Sequence, residues 1–247
     1  AHAEVAVLMD MRGNVLHEWR KSFSDVIEGP PPMGEGKARR WWRRSWLLEN
    51  GDIIALNTGM GVMRLDKNSN VVWVNPLYAH HDLAFRDDGG YITLTRKVHV
   101  LPRIYPTRPV IEDMVSYLDA RGEVERSFSI LEAFERSPFM GAVSEVITKG
   151  VKRDLLHTNS IVILDGKLAD RHPAFANGNL LLSFHALDAI GILDPKTETM
   201  VWLKKGSFVK QHDPKLLPNG NLLLFDNMGI RNHSRILELD PIEGGIV

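Results

Sequence analysis

A turn recurs along this chain in a fixed setting, and few folds accommodate it. Asn50-Gly51, Asp88-Gly89, Asn177-Gly178 and Asn219-Gly220 are each followed by a short apolar run: DIIAL, GYITL, NLLLS and NLLLF. Glycine takes positive φ without steric cost, and Asn or Asp beside it favours a hairpin turn. A second landmark follows each turn, an aspartate closing a strand, at Asp66, Asp119, Asp194 and Asp240, and an unpaired copy, VLMDMRGNVLHEW, carries Asp10. The turn glycines are 38 residues apart at 51 and 89, and 42 apart at 178 and 220. Two ordered landmarks recurring in phase every ~40 residues fit β-propeller blades better than a sandwich. The expectation is one all-β propeller domain over residues 1–247, truncated at one or both ends, with four whole or nearly whole blades and the outer part of a fifth. The long middle unit holds a helical excursion at about 127–150, where Ser129 and Glu132 have capping-box spacing.

In such a ring, equivalent positions of successive blades meet around one axis. Eight residues before the turn glycine stand Arg43, His81 and His212, and in the interrupted third unit His157 takes the same place ahead of its first strand. Seven residues after the glycine stand Thr58, Arg96, His185 and Asn227, all polar. Both sets are rich in donors and cations, with Asp82 and Asp213 as the nearby carboxylates, so the composition describes an anion site. A single histidine at such a position is commonly structural, capping a neighbouring blade, and Asp82 and Asp213 suit backbone bonding at the blade edge. The five landmark aspartates read as turn chemistry, and Trp19, Trp73 and Trp202 as packing between blades.

Other classes are narrowed by composition. The 247 residues carry net charge −1, so no overall field draws the protein to nucleic acid or an anionic membrane, and KARRWWRR at 37–44 reads as a solvated basic loop. The chain has no cysteine, which removes disulfides, thiolate nucleophiles and Cys-ligated zinc. No apolar run is long enough to span a bilayer.

Four segments together, HHDLAF, LLHTNSIVIL, NLLLSFHALDAIGILD and QHDPKLLPNGNLLLFDN with SRILELDP, resemble the arylsulfotransferase family. The similarity runs from about Val5 to the end of the chain. It implies a six-bladed propeller that moves a sulfuryl group from a phenolic sulfate ester to another phenol through a sulfohistidine, without nucleotide or other cofactor. It also implies a periplasmic or secreted setting. By the same resemblance His81, His157 and His212 match active-site histidines, with His212 the nucleophile, and His185 replaces the family's arginine; the chemistry of sulfuryl transfer then makes His157 or His81 the acid-base partner. Asn159, Arg96, Arg43 and Asn227 are the expected sulfate-binding donors. Two other readings stay open from the residues. One is a degenerate propeller that binds an anion or glycan without catalysis, and the other is a metal-dependent ester or lactone hydrolase using the histidines as ligands. The first strand, AEVAVLMD, is expected either to complete a blade with the C-terminal region or to leave a visible gap. An exposed edge there would favour a dimer.

Overall fold

The computed structural model describes residues 3–27, 41–150, 153–229 and 232–247. It begins with a hairpin of β1 (Val5–Met9) and β2 (Val15–Arg20). The first four-stranded sheet holds β3 (Arg44–Leu47), β4 (Ile53–Asn57), β5 (Gly61–Leu65) and β6 (Val71–Asn75). The second holds β7 (Ala79–Phe85), β8 (Tyr91–Val100), β9 (Pro109–Leu118) and β10 (Val124–Ser129). After helices α1 (Ile130–Glu135) and α2 (Met140–Thr148) comes a third, β11 (Thr158–Ile163), β12 (Leu180–Phe184), β13 (Ala189–Asp194) and β14 (Thr199–Lys205). The last sheet has three strands, β15 (His212–Leu216), β16 (Leu222–Asp226) and β17 (Arg235–Leu239). Every sheet is an antiparallel meander in chain order, so the arrangement is all-β and propeller-like, with four blades and a hairpin.

The turn landmarks do what their chemistry requires. Gly51, Gly89, Gly178 and Gly220 have φ between 84° and 88°. The landmark aspartates accept backbone donors across their own turns: Asp66 takes Asn68 N at 2.8 Å and Asn70 N at 2.9 Å. Asp10, Asp119 and Asp240 do the same.

Strands β4 and β12 are buried at every residue. This explains their unbroken apolar runs, since a strand covered on both faces by neighbouring blades has no polar side to alternate. Burying each Leu or Ile this completely is worth roughly 1.5–3 kcal/mol. Trp73 shows how blades interlock: its ring lies 5.6 Å from Tyr91 and against Gly122, both in the next sheet. Gly61 is held at φ 147°, where an added Cβ would sit 2.1 Å from the Asn75 carbonyl oxygen. Gly61→Ala is therefore expected to destabilise the fold by about 2–4 kcal/mol, read as a lower urea midpoint with unchanged slope.

First strands of successive blades touch, β7 against β11 and β11 against β15, so they form the inner lining that the repeat phase anticipates. On β16 and β17, Leu224 and Leu237 pack into the core shared with the third sheet. The opposite face, with the cross-strand pair Phe225 and Ile236, is 41% and 69% exposed.

Of the two arrangements expected of AEVAVLMD, the first is not found: β1 does not complete a blade with the C-terminal region. It pairs with β2, and that hairpin packs Trp19 and Ala6 onto the first sheet through Ile53, Met60 and Met63. β17 is met instead by Ile246 in an isolated bridge from Leu239. The basic loop is not wholly solvated either. Its first part lies outside the described residues, but Trp42 is buried and Arg44 is ion-paired on both sides. In the excursion, Ser129 caps α1 by accepting Glu132 N at 3.1 Å. The reciprocal half of the capping box is not made, because the Glu132 carboxylate pairs with Arg136.

Candidate functional site

The first strands of the last three sheets each carry an irregularity where the site residues stand. Register shifts fall between Ala79 and Leu83 on β7, Thr158 and Ser160 on β11, and His212 and Lys215 on β15. His81 and His157 have φ of 60° and 49°, and Asp213 has 50°. Positive φ is uncommon outside glycine, and bulges beside a site serve to re-aim side chains. Here they turn three imidazoles toward one another.

The result is a row rather than a cluster around one point. Ring centroids lie 5.0 Å apart from His81 to His157, 4.7 Å from His157 to His185 and 5.8 Å from His185 to His212. His185 follows the second strand β12 and fills the space between the two first-strand histidines.

Three of the imidazoles are held through Nδ1. His157 Nδ1 donates to Asp154 Oδ2 at 2.6 Å, and the other carboxylate oxygen accepts His157 N at 3.0 Å. His212 Nδ1 lies 3.1 Å from the Lys210 carbonyl and 2.9 Å from the Asn227 amide. A carbonyl can only accept, whereas an asparagine amide can turn over, so the consistent assignment protonates Nδ1 and presents Asn227 oxygen to it. That leaves the His212 Nε2 lone pair available. His81 Nδ1 lies 2.9 Å from Nδ1 of the fully buried His80. His80 Nε2 reaches within 3.4 Å of Asp113 Oδ1 without hydrogen-bond geometry. Burial holds the His80 ring neutral, well below the ordinary imidazole range, so this is not an ion pair.

Charges nearby set the protonation of the row. Burial lowers the His212 pKa, with Arg43 and His157 adding to it against the Lys210 carbonyl and Asp213. His81 is depressed far more, by burial and then by Arg43, His157 and Arg96. The same surroundings favour its neutral form. Burial opposes ionisation of Asp154, but the His157 hydrogen bond and Arg96 outweigh it and hold the carboxyl below its usual range.

The expected anion donors divide. Asn227 joins the row as a partner of His212, and Arg43 sits within electrostatic reach of both His81 and His212. Arg96 is largely committed to carboxylates, through Nε to Asp113 at 3.2 Å and an Nη to Asp154 at 3.1 Å. Asn159 is corrected: it is 1% exposed, and its amide nitrogen donates to the Gln211 carbonyl at 2.8 Å, tying β11 to β15. Asp82 bonds backbone as expected, accepting Leu83 N and Ile161 N at 3.0 Å each and pairing with Arg44 at 2.8 Å. Burial pushes its pKa up to about 6 against those donors. Arg44 also pairs with Asp213, so one guanidinium clamps the two aspartates that follow site histidines.

Sequence reasoning missed Arg44, Asp154 and His80. The only signal for Asp154 is its place three residues before His157, and Arg44 is one residue beyond the repeat position. Among the described residues no group of three or more His, Asp or Glu side chains is arranged to hold a metal ion. Likewise no described helix is long and apolar enough to cross a membrane.

A sequence model of the family "Arylsulfotransferase (ASST)" matches residues 44–244. The chain belongs to the arylsulfotransferase family. A search of curated proteins finds no match. Among solved structures, this family member is similar to a streptogramin B lyase, at 13% identity and TM-score 0.54, over 100% of this chain and 62% of that one. A catalytically inactive virginiamycin B lyase from Staphylococcus aureus with quinupristin gives 9% identity and TM-score 0.53, over 99% and 62%. Hydrazine synthase of Kuenenia stuttgartiensis gives 13% and 0.52, over 90% and 51%. At these identities the likeness concerns the propeller fold alone. The chain spans less than two thirds of the length of each of the three.

Proposed function

We propose that the histidine row transfers a sulfuryl group from a phenolic sulfate ester to a phenol, with His212 as the transient carrier and no nucleotide. The observation that carries this is the fixing of His212 by Nδ1, which leaves a neutral Nε2 as nucleophile. In the first half, the Nε2 lone pair forms an N–S bond as the S–O bond to the phenol breaks. Doubly protonated His157, its Nδ1–H held by Asp154, gives its Nε2 proton to the departing phenolate. In the second half the acceptor phenol returns a proton to His157, its oxygen bonds sulfur and the N–S bond breaks. Sulfuryl transfer, like phosphoryl transfer, has a loose transition state with charge on the peripheral oxygens. Arg43 and His185 are the donors placed to meet that charge. Arg96 acts instead by fixing Asp154.

The open face of β16 and β17 supports the family's six-bladed ring as the complete architecture, with this chain supplying four blades and a hairpin. A non-catalytic anion-binding propeller is the second reading, favoured by His185 where the family has arginine. His185→Arg separates the two. A guanidinium offers a permanent fork where imidazole offers at most two donors and a partial charge. The variant is expected to turn over 4-nitrophenyl sulfate with phenol roughly tenfold faster, about the net worth of one added hydrogen bond to a charged group. No turnover in either wild type or variant puts the binding module first.

A further inference from the structure

A cleft of about 560 Å³ runs between α2 and the loop joining β14 to β15. Its floor is apolar, with Leu187 and Phe208 almost fully buried, and Val146 of α2 forms the facing wall. Lys149, Lys205 and Arg235 stand around it.

The inner end of this cleft is tied to the histidine row on both sides. Ala186 and His185 donate backbone N–H to Leu156 O at 3.0 Å and His157 O at 3.2 Å, binding one wall to the residues that present His157. On the other side Asp188 accepts Lys210 N at 2.8 Å, and Lys210 carbonyl holds His212. The cleft lining thus begins at Ala186, the residue after His185, and at Val209, just before the Lys210 that holds His212, and leads away over an apolar surface; the imidazoles themselves lie beyond its inner end. Two of the cations are already neutralised, Lys205 by Glu145 at 2.8 Å and Arg235 by Asp226 at 2.9 Å. Lys149 lies beside the same Glu145 and is exposed at the α2 end, so the site still favours a ligand with negative charge at its far end. A second cleft, of about 490 Å³, lies at the Asp87–Asp88 and Asn177–Gly178 turns, at the other end of these strands, and has no such connection.

We infer that this cleft seats the aromatic body of the acceptor, and that it selects phenols of two or more rings bearing an anionic group remote from the hydroxyl. The inference rests on the sulfuryl-transfer reading. Size supports it: ligand sites of ~300–1,000 Å³ enclose drug-sized molecules, more than a single ring needs.

The test uses 4′-hydroxybiphenyl-4-carboxylate as probe, with direct binding by calorimetry beside acceptor kinetics. Val146→Trp fills the cleft from a half-buried helix position, and Lys149→Glu reverses the far charge. Both are expected to weaken biphenyl binding about tenfold or more and raise its KM as acceptor, with turnover using plain phenol retained. Equal binding to wild type and Val146→Trp overturns the inference. His212→Asn distinguishes the two levels: it should bind the probe as wild type does while losing turnover. Probe binding that survives without any turnover in wild type leaves the cleft in place and removes the transfer reading. Loss of phenol turnover in Val146→Trp with a lowered melting temperature is checked by Val146→Phe, which must show the same selective effect for the inference to stand.

Discussion

His212→Asn is expected to lower aryl sulfate turnover by at least about 10⁴-fold, the largest effect of any single change. An amide nitrogen has no lone pair able to bond sulfur, so the covalent route closes. Positioning by the remaining donors can sustain only the slow direct reaction. The substitution should cost little stability, since His212 is half-buried at the start of β15 and its side-chain hydrogen-bond partners are the Lys210 carbonyl and Asn227, both within reach of an amide. A melting temperature near wild type with turnover lost is the expected pair of readings. If the variant keeps more than a hundredth of the wild-type rate, another group carries the sulfuryl moiety.

Asp154→Asn is expected to lower kcat by about 10²–10⁴-fold with KM nearly unchanged. Asp154 sets the tautomer of His157 and supplies the counter-charge for its protonated form. It is ionised throughout the neutral range because the His157 hydrogen bond and Arg96 outweigh its burial. Removing that anion takes away the acceptor that fixes the His157 tautomer and the counter-charge for the proton it delivers. The acid limb of the pH profile belongs to His212, whose lowered pKa places it below the ordinary imidazole range, and it should stay where it is in the variant. Asp154→Glu should recover part of the rate, whereas a merely structural role for Asp154 would lower the melting temperature without the selective loss of kcat.

How much of this was legible in the sequence follows from what a propeller preserves. Phase relative to a turn glycine becomes position around an axis, so His81, His157, His185, His212 and Asn227 could be brought together on paper and stand together in the structure. The same phase could not show which way a side chain faces. Asn159 shares its strand with the site, yet its side chain is buried against the Gln211 carbonyl and makes an inter-blade tie. Arg96 has the right ring position, but its guanidinium is drawn to Asp113 and Asp154, which lie outside any repeat phase. Asp154 enters from an irregular segment after α2, held to the second sheet by a bridge to Ile111 and by Arg96, and no periodicity points to it. Local register also misled at the basic loop. Counting from Gly51 selects Arg43, while the neighbouring Arg44 turns inward to clamp Asp82 and Asp213. The copy carrying Asp10 forms the hairpin β1–β2; its apolar strand suits closing a ring as well as packing on the first blade, and contacts with Ile53, Met60 and Met63 decide for the latter.

The central claim is that His212 Nε2 carries the sulfuryl group, and rapid mixing with 4-nitrophenyl sulfate in the absence of acceptor tests it most directly. The account predicts a burst of about one 4-nitrophenolate per chain, as an accumulating covalent intermediate requires. It also predicts an adduct of one sulfuryl mass on the peptide containing His212, discharged when phenol is added. Linear release with no adduct, an adduct on His81, His157 or His185 instead, or activity lost to a chelator and regained with zinc would contradict it.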